Sequence, residues 1–307
     1  MSKLTMGPYA GPGESVAVRA NDHTQRHLKE EHTMTTPTAA PDLAAIKVRQ
    51  QATWASGDYG AIATPLVPIA EQLCDAVDLH PGDLVLDVAS GTGNAALAAA
   101  RRMCDVIASD YVPALLERAR ERAVAERLTL SIQEADAEAL PFPDRAFDAV
   151  VSVLGVMFAP NQERSAAELL RVCRPGGKIG LASWTPDGFI GQMFRVIGRH
   201  VPPPAGLRPP LLWGTEARLG ELFGDGVSSI HAVRRHHAFR YRSAEHMVEA
   251  FRTCYGPMVK TFEALKTSEQ QQSLTDDLLE LAGRFNRSGD HTLIAPSEYL
   301  EVVAIKA

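Results

Sequence analysis

Apolar residues recur along this chain in two periods, and the points where the period changes mark its elements. From Asp42 the spacing of Leu43, Ile46, Val48 and Ala52 suits a helix with Asp42 as N-cap, ending near Ser56-Gly57-Asp58. A second helical run covers 66–77, and the turn His80-Pro81-Gly82 follows it. Residues 84–88 (Leu-Val-Leu-Asp-Val) form a short apolar run, the pattern of a strand buried on both faces. An Ala-rich helix (95–103), a strand (106–109), a helix (112–125) and a strand (128–133) come next. Then follow a strand (147–154), a helix (162–172), a turn at Pro175-Gly176-Gly177 and a strand (179–184). Such alternation predicts a parallel sheet with crossover helices.

Beyond Trp184 the pattern loosens into short helices and a loop containing Pro202, Pro203, Pro204, Pro209 and Pro210. A strand pair is predicted over 227–241, helices over 244–287 and a last strand over 299–305. A strand returning so late makes the helical stretch an insertion within the sheet. Residues 1–40 carry Gly, Pro, Thr, His and charge without hydrophobic periodicity and read as disordered. Met34 opens a fresh Thr/Pro/Ala stretch and reads as an alternative translation start, with 1–33 as an upstream extension.

Composition narrows the function classes. Among 307 residues, 45% are hydrophobic and 22% charged, which fits a globular protein. A net charge of −6 offers no positive field for nucleic acid, so DNA binding is not expected. Cys74, Cys104, Cys173 and Cys254 have neither zinc-site spacing nor the density of a disulfide scaffold, so no metal is expected and a reducing compartment suits them. With no run long enough to span a bilayer and no apolar leader core, the expected location is the cytoplasm.

The candidate chemistry begins at Asp87-Val88-Ala89-Ser90-Gly91-Thr92-Gly93-Asn94, where the first strand passes into a helix. Glycines there let the backbone turn tightly and approach a ligand, and the N–H groups of the helix start face it. The same loop, read as Gly91-Thr92-Gly93-Asn94-Ala95-Ala96 with Asp110 downstream, also satisfies a dinucleotide pattern. The loop alone leaves an NAD-dependent oxidoreductase open.

Three further segments point one way. They are Ile107-Ala108-Ser109-Asp110-Tyr111, then Glu134-Ala135-Asp136-Ala137-Glu138-Ala139-Leu140-Pro141-Phe142, then Phe147-Asp148-Ala149-Val150-Val151-Ser152 leading into Val153-Leu154-Gly155-Val156-Met157-Phe158. With the helix and turn over 168–177, these ordered motifs resemble the class I S-adenosylmethionine (SAM)-dependent methyltransferases, in particular the subgroup similar to ubiquinone/menaquinone C-methyltransferases. Ala89 departs from the family pattern, which usually has glycine there.

The resemblance, carried by residues 84–184, implies a Rossmann-like α/β fold. Its mostly parallel sheet would have about seven strands and an antiparallel last strand, with helices on both faces and a helical substrate cap inserted late. The implied organisation is an N-terminal helical lid (41–80), a SAM-binding core (81–188), a cap and sheet-completing segment (189–297) and the last strand (298–307).

It also implies roles for particular residues. Asp87, Ala89, Ser90, Gly91 and Gly93 would form the cofactor loop. Asp110 would accept hydrogen bonds from the ribose hydroxyls, as a carboxylate suits a vicinal diol, and Tyr111 would pack on adenine. Asp136 and the N–H of Ala137 would bind adenine, Val153 would meet SAM at the sheet edge, and Trp54 and Tyr59 would belong to the lid.

Methyl transfer from a sulfonium needs alignment and water exclusion more than a dedicated catalytic group. Where a general base serves, His200, His236, His237, His246 and Tyr255 are the candidates in the cap. The basic run from Arg234 to Arg242 would place half its charges outward, and an anionic substrate is one reading of the rest. The expected partner is a small-molecule methyl acceptor, with RNA or protein as alternative targets. Oligomeric state leaves no mark in the sequence.

Overall fold

The computed structural model describes residues 41–307; the expectations for 1–40 lie outside the described residues. Three helices come first: α1 (Leu43–Trp54), α2 (Tyr59–Ala63) and α3 (Val67–Val77). The Asp42 side chain accepts the Ala45 N–H at 3.0 Å and caps α1, as the sequence predicts.

A strand–helix alternation follows: β1 (Leu84–Val88), α4 (Asn94–Arg101), β2 (Asp105–Asp110), α5 (Pro113–Glu126), β3 (Ser131–Glu134), β4 (Phe147–Val153), α6 (Gln162–Val172) and β5 (Cys173–Trp184). The remainder comprises α7 (Phe189–His200), α8 (Glu216–Phe223), β6 (Val227–Tyr241), α9 (Ala244–Cys254), α10 (Gly256–Ala264), α11 (Ser268–Phe285) and β7 (Leu293–Lys306).

The seven strands form one sheet in the order β3-β2-β1-β4-β5-β7-β6, parallel from β3 to β5, with β7 antiparallel to both its neighbours. The apolar run of β1 sits at the centre, with Val85, Leu86 and Val88 fully buried. Small side chains let α4 lie close on the sheet: Ala95, Ala96, Ala98 and Ala99 are all buried. Because β2 lies on one side of β1 and β4 on the other, chain direction diverges between β1 and β4. That divergence opens a crevice at the carboxyl ends of those strands, where open α/β sheets hold ligands.

One expectation is corrected. Residues 227–241 are a single strand, β6, which pairs along its length with β7 from Val227↔Lys306 to Tyr241↔Leu293. The physical reason lies in its composition, since Val227–Tyr241 contains no Gly, Pro, Asn or Asp to make the turn a hairpin needs. β7 is correspondingly longer than the 299–305 expected. No described helix is long and apolar enough to cross a membrane.

Candidate functional site

Beyond β1 the chain turns through residues 89–93. Ala89 and Gly91 adopt left-handed backbone with φ of +53° and +54°, a region that costs a residue with a Cβ about 1–2 kcal/mol. Ala89 holds this conformation against the loop leaving β4: a Cβ on Gly155 would lie 2.2 Å from the Ala89 carbonyl oxygen. Only glycine fits at 155. The contact pins the ends of β1 and β4 together on the floor of the crevice.

Two carboxylates line this floor, and among the described residues neither has a cation paired with it. Asp110 is buried, and its oxygens accept N–H groups from Gly91 at 2.8 Å and Val112 at 2.9 Å. Burial pushes its pKa up to about 6, against the pull of those amides. Asp87 accepts the Ala96 N–H at 2.8 Å. Burial pushes it further, to about 8; the amide of Ala96 opposes the shift and the charge of Asp110 adds to it. The buried Ser90 hydroxyl has no hydrogen-bond partner among the described residues. Such a wall suits a ligand that brings positive charge and hydroxyl or amine donors. An adenosine carrying a cationic amino-acid tail has that donor set, and the residues present fit SAM.

On the far wall, Asp136 receives the Glu138 N–H at 2.9 Å and the Lys47 ammonium at 2.6 Å. Lys47 also reaches Glu138 at 2.7 Å. Burial works against the Lys47 charge, but the two carboxylates outweigh it and its pKa is raised. Lys47 lies on α1, which crosses the mouth of the crevice. Gln50 donates to the Phe158 carbonyl at 3.2 Å, and Gln51 to the Tyr111 carbonyl. Trp54 completes this helix face, edge-on to Tyr59, Phe158 and Tyr255 with ring centroids 5.6, 4.9 and 5.7 Å away.

These residues line an open cleft beside a second, aromatic cavity, the two sharing Trp54, Tyr59, Leu154 and Phe158 as lining residues. The second cavity is completed by Ile62, Leu66, Trp184, Ile190, Phe194, Phe239, Phe251 and Tyr255. Asp87, Ala89, Ser90, Gly91, Asp110, Tyr111, Asp136, Ala137, Val153, Trp54 and Tyr59 all line the larger cleft.

Gly93 does not line it. It precedes α4 with φ of +82°, and a Cβ there would meet Ala119 at 2.9 Å, so its place is in helix packing. Asn94 and Gly155, present in the motifs but given no role there, also line the cleft, as do Lys47, Leu115 and Pro160, which the sequence reading did not single out. Lys47 had a legible signal, because Lys47, Gln50, Gln51 and Trp54 recur at i, i+3, i+4 and i+7 on one helix face.

The histidines lie elsewhere. His200 bonds Asp277 at 2.9 Å and ties α7 to α11. His246 accepts the Arg242 N–H at 3.3 Å. His236 and His237 border a separate cleft with Pro65, Pro68, Gln72 and Arg240. Tyr255 alone of the catalytic candidates reaches the aromatic cavity. Two of the four arginines of the basic run are paired with β7: Arg234 with Glu298 and Arg235 with the buried Glu301, both at 2.8 Å.

Comparison with known proteins agrees with this geometry. A methyltransferase domain family matches residues 86–181. An uncharacterized protein of Mycobacterium tuberculosis, Rv1405c, is 40% identical over 89% of this chain and 100% of its own length. A demethylmenaquinone methyltransferase of Deinococcus radiodurans is 38% identical over 41% of this chain and 54% of its own length. The YcgJ protein of Bacillus subtilis shares the fold, with a TM-score of 0.55 at 16% identity, covering 77% of this chain and 97% of that one. The dinucleotide reading of the loop gives way to these matches. With its mixed seven-stranded sheet, its matched domain and its full-length relatives, the chain belongs to the class I SAM-dependent methyltransferases.

Proposed function

We propose that the protein moves a methyl group from SAM to a carbon or oxygen of a small molecule held in the aromatic cavity. The observation that carries this reading is the adjacency of the two spaces: a polar cleft lined by the buried carboxylates of Asp87 and Asp110 shares Trp54, Tyr59, Leu154 and Phe158 with an apolar cavity. When bound, SAM supplies a methyl group already activated by the sulfonium.

The chain's own residues supply position and dryness. Asp110 has lone pairs free beyond its two amide contacts and takes the ribose hydroxyls. Asp136 and the Ala137 N–H take adenine, with Tyr111 against the ring. The loop from Asp87 to Gly91 holds the amino-acid tail, where Asp87 gains a cation. Val153 closes the floor, and α1 with Trp54 and Tyr59 shuts water out from above. Holding two reactants aligned in this way is worth up to about 7–11 kcal/mol of barrier.

Calorimetric titration with SAM, S-adenosylhomocysteine and NAD, repeated on Asp110→Ala, tests the cofactor half. Micromolar binding of SAM and S-adenosylhomocysteine, lost in the variant, is expected; binding of NAD alone refutes the reading. A small-molecule panel set against bulk RNA and protein, read by S-adenosylhomocysteine release, tests the acceptor half.

A further inference from the structure

A half-buried guanidinium stands behind the cofactor loop. Arg122, on α5, makes no ion pair among the described residues. Its Nη1 donates to the Thr92 carbonyl at 2.6 Å, to the Asn94 side-chain oxygen at 2.8 Å and, more weakly, to the Thr92 hydroxyl at 3.3 Å. Burial lowers its pKa, the charge of Glu126 opposing the shift and that of Arg101 adding to it, yet an arginine stays charged at any ordinary pH. A cation drawn partly out of water without a paired carboxylate is costly, and the oxygens of the loop are what compensate it.

Those bonds fix one peptide unit and one side chain. The Thr92–Gly93 peptide is held at both ends, its carbonyl by Arg122 and its N–H by the Ser90 carbonyl at 2.8 Å. With its oxygen on Arg122, the buried Asn94 amide turns its nitrogen to the Ala63 carbonyl at the end of α2, 2.8 Å away. The amide can point only this way, since a flip would set donor against donor and carbonyl against carbonyl. α2 meets the loop a second time through Tyr59, whose ring lies 3.3 Å from where a Cβ on Gly91 would be. The loop is therefore tied to α5 and to α2, and Asn94 touches both ties.

Resting on the cofactor reading above, we propose that Arg122 is a positioning residue for SAM. It is not among the residues that line the cleft. It sets the shape of the loop that does and, through Asn94, keeps α2 and Tyr59 seated on that loop. A loop ordered before its ligand arrives loses less freedom on binding, and affinity rises accordingly.

The test uses the full-length protein. Arg122→Met, which keeps an unbranched stem and removes the donors, should weaken SAM and S-adenosylhomocysteine about tenfold in calorimetry, from the loss of hydrogen bonds to a charged group. Arg122→Lys, which keeps a charged donor, should recover most of that affinity. Hydrogen exchange without ligand reads the link itself: in Arg122→Met the amides of 89–94 and of 59–63 should both exchange faster. Asn94→Asp keeps an oxygen for Arg122 but sets the other against the Ala63 carbonyl, so 59–63 should exchange faster while 113–126 stays protected. A role confined to packing α5 would instead speed exchange in 113–126 and leave affinity intact. Unchanged SAM affinity in Arg122→Met, no recovery in Arg122→Lys, or unchanged exchange of 59–63 in Asn94→Asp overturns the inference. Failure of the unaltered protein to bind SAM overturns the cofactor reading and the inference with it.

Discussion

The two neighbouring spaces are built on opposite principles. The cofactor cleft is walled by strand ends and turns, with backbone amides and buried carboxylates drawn from short contiguous stretches at 87–94, 110–111, 135–137 and 153–160. The aromatic cavity is walled by side chains of α1, α2, α7, α9, β5 and β6, scattered from Trp54 to Tyr255. Polar groups in the first leave charge uncompensated until a ligand arrives. Rings in the second bury surface whether or not one does. On the proposed function, the cleft would be a place where the fold forgoes stability to bind, and the cavity a place where stability and specificity share the same atoms.

Substitutions should separate the two. Phe239→Ala, which removes a ring packed on Trp184, Phe189 and Phe251, should lower stability by about 3–5 kcal/mol. At a few degrees per kcal/mol for a domain of this size, Tm falls by roughly 10 °C, and SAM affinity should hold in calorimetry. Asp110→Ala should do the reverse: SAM affinity falls about 100-fold, from loss of hydrogen bonds to a charged group, while Tm in the absence of ligand is maintained or rises. A large Tm loss there would break the distinction. Gly155→Ala, which forces a methyl group onto the Ala89 carbonyl, should strike both properties, costing about 1–3 kcal/mol in denaturant unfolding and weakening SAM.

The acidity of the cleft gives a subtler probe. Asp87 and Asp110 have folded pKa values of about 8 and about 6, raised above the unfolded carboxylate value near 4. Their contribution to the stability of the ligand-free protein is fully present below about pH 4 and is lost as pH rises through 6 and then 8. Cationic SAM favours the ionised forms. The Tm increment it gives should therefore grow between about pH 5.5 and 8.5 in thermal-shift measurements, and an increment flat with pH would contradict this. Lys47→Met should act least. It removes two ion pairs in which Lys47 and Asp136 are partly exposed and Glu138 is buried; with the lysine end open to solvent the effect is about 1 kcal/mol or less, so a roughly threefold rise in the SAM dissociation constant is expected.

The same contrast governs how far the sequence could be read. A strand end followed by glycines is a local pattern, so the loop from Asp87 to Gly91, Asp110 and the turn at Asp136 were legible, and the structure places them around one cleft, with Gly93 turned to helix packing instead. In α1 the apolar spacing misled: Val48 is 69% exposed. The meaningful stripe there is mostly polar, and its partners Asp136, Tyr111 and Phe158 are far along the chain. Phe239 and Phe251 converge on the cavity only through tertiary packing, which no short spacing encodes. β6 was misread as two strands because its outer edge is open and its burial alternates weakly, with Ser228 to His231 all exposed.

The sheet order has a consequence for how the chain comes together in time. β6 touches the sheet only through β7, yet residues 242–292 lie between them. During synthesis β1 to β5 can associate, and the cleft they carry can take shape, while β6 still has no neighbour to pair with. Phe239, on β6, reaches its place beside Trp184 only after β7 has zipped between β5 and β6. Pairing over such separations is slow because the loop must close before its contacts form. On the proposed reading, the strands that carry the methyl donor's cleft would thus be in place before the aromatic cavity beside it is walled off.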